Sequence, residues 1–276
     1  MSKSLPTSLE KSAAIAEVAA KHIRVFNKHT ARPLGEATFY EFGTGWDLLI
    51  PLTFYSLGAN KQVLVDIRNL LRPKIIDDTI DKLGRLQDSL SLNRTPNRIA
   101  KNAASLPSSL KTSFGIDYRA PCDARRTGLE AGTIDFVTST NTLEHIPEAD
   151  IRGILRECHR LLRDDGIMSF QIDYLDHYSY FDGGISGYNF LRYSEKQWRR
   201  YNPSLHYQNR LRHKDHLQLI RDAGFEIVEE ERDDGTQMHL KTIEELPVDK
   251  RFELYSPTEL AVRSSWLVIR KSNRRG

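Results

Sequence analysis

The chain predicts an α/β fold: a mostly parallel sheet with helices on both faces, an N-terminal helix before it and a cap inserted after the fifth strand. Three observations lead there. Short apolar runs alternate with stretches of helical period between about residues 36 and 232. The first run, Thr38-Phe39-Tyr40-Glu41, closes on an acid and passes into Phe42-Gly43-Thr44-Gly45. Two glycines there let the backbone turn sharply and approach a ligand. The next run, Gln62-Val63-Leu64-Val65, closes on Asp66, roughly 20 residues past that turn, where a carboxylate is placed to accept hydrogen bonds from ribose hydroxyls.

The elements follow in order. Leu9, Ala13, Ala16, Ile23 and Phe26 lie on one face of an amphipathic helix over about 8–30, which Arg32-Pro33-Leu34-Gly35 ends. Trp46 to Leu57 reads as the first crossover helix, with Pro51 in an early turn, where its missing N–H does least harm. After Asp66, Ile75, Ile76, Ile80, Leu83 and Leu86 space one buried helical face within 70–92. Residues 91–111 turn to Ser, Asn, Pro and basic types and read as a surface insertion with short helical pieces. Ile116–Arg119 is a short third strand.

The fourth strand, Ile134–Ser139, is β-branched with a polar end. Ligands of open α/β sheets bind beyond the C-terminal ends of the strands, which puts Thr140, Asn141 and His145 at a site. A helix over 149–162 and a strand over 167–172 complete a parallel repeat, and a helix over 213–223 leads through Gly224 into a strand at 225–229. Between them, Asp173 to Arg212 is crowded with Tyr, Trp, His, Gly and Arg. Long excursions in compact domains are usually lids or binding loops, and this one leaves a strand's C-terminal end, so 173–212 is expected to be the substrate cap. The expected organisation is a helical segment over 1–35 and one domain over 36–276.

Four motifs in sequence resemble one family. Glu41-Phe42-Gly43-Thr44-Gly45 looks like the first motif of class I S-adenosylmethionine-dependent methyltransferases, and Asp66 matches their ribose-binding acid. Pro121-Cys122-Asp123-Ala124 resembles the motif whose Asp meets the adenine amino group, and Ile134 to Ile146 the fourth strand with its following loop. Leu155 to Gln171, with Asp164-Asp165-Gly166, resembles the next helix, turn and strand. The pattern departs at Asp47, where a third glycine is common. The resemblance implies a Rossmann-like domain closed by an antiparallel strand at 264–270, S-adenosyl-L-methionine as cofactor, and a cofactor site of Glu41, Gly43, Thr44, Gly45, Asp66, Ile67, Asp123, Ala124, Thr140 and Asn141. Gly45 to Pro51 is also similar to methyltransferases encoded with bacterial glycan and surface-polysaccharide assembly. This implies O-methylation of a sugar or sugar-linked hydroxyl.

Methyl transfer needs a nucleophile held in line and often a base to deprotonate it. The candidates are His145, which the resemblance implies either lines the cofactor side of the pocket or serves as the base, and the pair Asp173 and His177, because an imidazole titrates near neutral pH and a carboxylate can orient it. Tyr178, Arg210, Arg212 and His213 are expected to contact substrate, with the arginine forks suited to an anion. No metal site is expected: His213-Lys214-Asp215-His216 has no third ligand at matching spacing.

Composition excludes more than it selects. Two cysteines allow neither a disulfide framework nor a four-cysteine zinc site, and no apolar run approaches the roughly 20 residues of a membrane span. Met1 to Pro6 lacks a signal-peptide core, so a cytoplasmic enzyme is expected. A net charge of +3 gives no footprint for nucleic acid, and the basic end Arg270 to Arg275 reads as solvated. Two other readings stay open. A nicotinamide-dependent oxidoreductase is disfavoured by the missing third glycine and by the Asp123 and Asn141 motifs. A catalytically silent scaffold of the same fold is disfavoured by the intact Glu41, Gly43, Gly45 and Asp66.

Overall fold

The computed structural model describes residues 7–99, 105–204 and 206–272. Met1 to Pro6, part of the 91–111 insertion and the basic tail beyond Ser272 lie outside them. The seven strands are β1 (Thr38–Phe42), β2 (Lys61–Val65), β3 (Ile116–Arg119), β4 (Ile134–Thr140), β5 (Leu162–Asp173), β6 (Phe225–Asp233) and β7 (Ser264–Lys271). They form one sheet in the order β3-β2-β1-β4-β5-β7-β6, with β1 parallel to β2 and β4, β2 parallel to β3, and β6 antiparallel to β7. This is the mixed, mostly parallel sheet of a Rossmann-like fold, with helices between the strands.

The chain divides into two compact units, Met1–Ser139 with Arg160–Ser169, and Thr140–His159 with Phe170–Gly276. In the first, helix α1 (Leu9–His29) starts at Ser8, whose hydroxyl accepts from the Lys11 N–H. Its buried face brings Phe26 against Phe39 and Phe136. His22 lies in this aromatic cage with its Nδ1 2.8 Å from Ser169 Oγ. Helix α2 (Leu49–Leu57) starts three residues later than the sequence suggested, because Leu48 is left-handed (φ 54°) and the Asp47 carboxylate receives the Leu49 N–H. Pro51 falls in its first turn as expected. Helix α3 (Pro73–Leu86) is shorter than 70–92, since Pro73 presets the φ of a first helical residue and removes an N–H that would have no partner. Helix α4 (Leu106–Phe114) ends at Gly115, where φ is +67° and a Cβ would lie 1.8 Å from the Asn60 carbonyl oxygen, so only glycine fits.

In the second unit, helix α5 begins the segment (Glu148–Leu161). The 173–212 stretch is no open loop. It carries 3-10 turns at His177–Tyr180 and Asn189–Arg192 and helix α6 (Glu195–Tyr201), and Tyr188, Phe190, Leu191 and Trp198 are buried against Ile243, Phe252 and Leu260. All three come from residues the sequence left unassigned. Helix α7 (His213–Asp222) precedes β6, and helices α8 (Gln237–Glu245) and α9 (Pro257–Ala261) fill the interval before β7. Strand β5 begins at Leu162 rather than 167, so Asp164-Asp165-Gly166 is strand and not the expected turn.

Candidate active site

The first unit holds the predicted cofactor residues other than Thr140 and Asn141. Strand β1 ends in Glu41 and Phe42, and Gly43 and Gly45 take positive φ values of 73° and 69°, which a side chain would strain. The Gly43 N–H donates to the Val65 carbonyl, tying this loop to the end of β2. One residue on, the buried Asp66 accepts from the Arg68 N–H at 3.1 Å and from the Gly45 amide. Burial pushes its carboxyl up, against those hydrogen bonds. Ile67 beside it is 65% exposed. The Cys122 N–H donates to the Asp66 carbonyl, which brings Asp123 and Ala124 to the same loop cluster. Both Asp123 oxygens receive the Arg125 guanidinium, which holds that carboxyl below the usual range.

Buried polar atoms without partners show where a ligand fits. Glu41 Oε2 and Thr44 Oγ1 have no hydrogen bond, and neither does Thr138 Oγ1, which stands opposite Glu41 in the β1–β4 register. Burial, with Asp47 adding its charge, raises the Glu41 carboxyl to about 8. A buried acid of this kind is relieved by a cation, and S-adenosyl-L-methionine carries an ammonium group. The donor set therefore fits the cofactor, and Thr138 is a member that the sequence did not single out. Among the Asp, Ser and Thr residues of the same strand it carried no distinguishing signal.

In the second unit, Asn141 is left-handed (φ 48°), and its N–H donates to the Gln171 carbonyl. A non-glycine residue held there is a strained position of the kind that collects at functional sites. Thr140 ends β4, and its carbonyl receives the Thr142 hydroxyl. A 3-10 turn at Leu143–His145 follows. Asn209 pins it by donating from its amide to the Leu143 and Ile146 carbonyls and from its backbone N–H to the Glu144 carbonyl.

The three predicted catalytic residues are brought together. The His145 and His177 rings lie 4.8 Å apart, edge to face, and His177 Nε2 is 3.3 Å from Asp173 Oδ2. His145 Nδ1 donates to the Tyr207 carbonyl at 2.8 Å, which leaves the lone pair on Nε2. Its surroundings lower its pKa, first by burial and then through His177, against the pull of the Tyr207 carbonyl. The imidazole is thus neutral and basic at neutral pH. Burial raises Asp173, but the nearby His177 ring and hydrogen bonds from the Tyr180 hydroxyl and the Leu175 N–H outweigh it and hold the carboxyl low.

The expected substrate arginines are corrected. Arg212 is fully buried, and its guanidinium donates to the carbonyls of Tyr174, Leu260 and Val262 at 2.6–2.8 Å. Arg210 donates to the Phe190 and Tyr193 carbonyls and to Glu195. His213 is buried against Glu230 and the Tyr174 hydroxyl. All three join chain segments to one another, and the terminal nitrogens of both arginines are occupied. Tyr178 is 41% exposed and stays available for a ligand's face, although its hydroxyl donates to the Tyr201 carbonyl.

Comparison with known proteins agrees with this fold. A family model described as a methyltransferase domain matches residues 89–170. No curated protein sequence matches the chain. Among solved structures, a candidate methyltransferase bound to the Trm112 methyltransferase activator of Haloferax volcanii shares the fold with a TM-score of 0.51 and 12% identity, over 97% of this chain and 96% of that one. A candidate sarcosine dimethylglycine methyltransferase from Galdieria sulphuraria gives 0.50 and 15%, over 96% and 88%. The geranyl diphosphate C-methyltransferase of Streptomyces coelicolor A3(2), solved with S-adenosyl-L-homocysteine, gives 0.50 and 10%, over 92% and 77%. These likenesses carry the fold, and the domain match carries the activity. The chain is an S-adenosyl-L-methionine-dependent methyltransferase. Among the described residues no helix is long and apolar enough to cross a membrane.

Proposed function

We propose that this enzyme methylates a hydroxyl of a small or medium polar acceptor, a sugar or sugar-linked hydroxyl in glycan biosynthesis, in the cytoplasm. The observation that carries the reading is the His145–His177–Asp173 cluster, with one imidazole neutral, oriented by Tyr207 and open at Nε2. In this reading Nε2 of His145 takes the acceptor's proton, and the His177–Asp173 pair holds the acceptor oxygen. The bound cofactor supplies an electrophilic methyl on a sulfonium. Oxygen–carbon bond formation accompanies sulfur–carbon cleavage, and S-adenosyl-L-homocysteine leaves.

Glu41 would hold the methionine ammonium, Asp66 the ribose hydroxyls, and Ile67 with Asp123 and Ala124 the adenine, while Gly43, Thr44 and Gly45 make room for the cofactor. Thr140 and Asn141 are assigned to the same ligand. Residues 173–212 would receive the acceptor. Their outward aromatics, Tyr178, Tyr180, Phe181 and Tyr201, suit the apolar face of a sugar ring. Phe190 and Trp198 lie in the interior and have no such part.

Purified enzyme with labelled S-adenosyl-L-methionine and a panel of free and nucleotide-linked sugars, phenols and amines tests the proposal. Transfer to hydroxyls that falls by about 100-fold in His145→Gln, with cofactor affinity unchanged, is the expected result. Exclusive transfer to amines, or full activity in that variant, would overturn it.

A further inference from the structure

Glu144 has no part in that reaction, yet it lies buried between the residues that do. Neither carboxylate oxygen makes a hydrogen bond, although the amides of Glu144 and Asp173 lie near. No lysine or arginine pairs with it among the described residues. His177 Nε2 is likewise buried and has no well-aligned hydrogen bond, despite the carboxylate 3.3 Å away. His145 presents a free lone pair at Nε2. One ligand atom from each of Glu144, His145 and His177 lies within 4.8 Å of the others.

We propose that Glu144, His145 and His177, with Asp173 beside them, bind a divalent first-row transition-metal ion that activates the acceptor. Two imidazoles and a carboxylate, with a second carboxylate at hand, are the donor set of zinc, manganese, iron or cobalt, whereas magnesium prefers oxygen alone. Neighbouring ligands around such an ion, bonded at about 2.1 Å, stand about 3–4 Å apart, so side-chain rotations of about 1 Å close the site.

The supporting shell is already in place. The Tyr207 carbonyl fixes the His145 tautomer, as second-shell acceptors do for metal-bound histidines. Gln208 accepts the His177 N–H and donates to the Leu175 carbonyl, and Asn209 clamps the turn that carries Glu144 and His145.

The inference rests on reading this cluster as the acceptor site, and it changes how the proton leaves. The acceptor oxygen binds the ion, the O–H bond breaks and the proton passes to solvent, because the lone pair of His145 is then occupied. No electron is transferred.

The test uses the full chain, stripped with EDTA, dialysed and titrated with Co²⁺. Wild type is expected to bind one equivalent, with visible d–d absorption. Glu144→Gln and His177→Gln are each expected to weaken binding by at least about 10–100-fold, with wild-type circular dichroism and cofactor affinity. Equal binding in the three proteins, or none in wild type at millimolar Co²⁺, overturns the site. Should a variant not fold, Zn²⁺ titrated into wild type with ¹⁵N-labelled histidine gives the answer. Shifts confined to the His145 and His177 rings support the site, and unmoved rings overturn it. Two outcomes separate this inference from the acceptor reading. Methyl transfer that persists in EDTA without bound Co²⁺ removes the metal and leaves the base. Co²⁺ binding with transfer to amines alone keeps the metal and removes the hydroxyl acceptor.

Discussion

In the proposed cofactor site Asp66 and Glu41 would act through different physics. There Asp66 would accept charge-assisted hydrogen bonds, so Asp66→Ala is expected to weaken S-adenosyl-L-methionine binding by roughly 1.5–3 kcal/mol in a calorimetric titration. Unchanged affinity would remove the ribose assignment. Glu41, with its carboxyl at about 8 in the free protein, is mostly protonated at neutral pH. A bound ammonium favours the ionised form, so binding should release close to one proton at pH 7 and tighten as pH rises towards about 8. Titrations in buffers of different ionisation enthalpy measure that proton, and Glu41→Gln should abolish it. Glu41 and Asp66 were legible in the sequence because each follows an apolar run and precedes a turn. Glu144 was not: its importance comes from burial and unmet hydrogen bonds, which a single sequence does not display.

The 173–212 segment shows what can and cannot be read at the level of an element. Its length and its departure from a strand end marked it as special, and its 3-10 turn does carry His177 and Tyr178. The same reading took its aromatics and arginines for ligand contacts, and most proved to be interior. The reason is that Phe252, Leu260 and Ile243, far along the chain, supply the other half of that small core. Arg212 is the clearest case, since one guanidinium satisfies three carbonyls from two segments. Arg212→Met should destabilise the protein by about 3–5 kcal/mol by leaving those carbonyls buried and unpaired. Denaturant unfolding should show this loss. Cofactor affinity at native temperature should change little, because Arg212 touches no predicted cofactor residue.

Across the whole molecule, the mostly parallel sheet and the alternation of strands and helices were legible, and the strand order and the division into two compact units were not. Alternation is a local signal, whereas the units depend on which segments pack together. Each unit contains a buried histidine held near pKa 3, His22 in the first and His216 in the second, chiefly by burial. Their unfolded values are near 6.5, so between about pH 3 and 6.5 the unfolded chain binds more protons and stability falls as pH drops. Each costs up to about 1.4 kcal/mol per pH unit in that window. Glu41 works in the opposite sense: its raised carboxyl stabilises below about pH 4.5, and that contribution is lost as pH rises through about 8. A variant comparison therefore isolates the histidines. His216 Nε2 makes no hydrogen bond, so His216→Phe should be near neutral at pH 7 and become progressively more stable than wild type towards pH 5. Chemical denaturation at three pH values tests this, and parallel curves would contradict it.

The two ends of the sheet differ in how they meet other molecules. Strand β3 is only four residues long, and Asp117 and Arg119 pair with one another on it. Strand β6 is nine residues long and carries Glu226, Glu229, Glu230 and Glu231. Another copy arriving to extend the sheet at β6 would set its own row of carboxylates against these, and at β3 it would find little backbone to pair with. The open borders of this enzyme thus act as guards against fibrous self-association, and acid, which neutralises the glutamates, is the condition under which that guard is lowered.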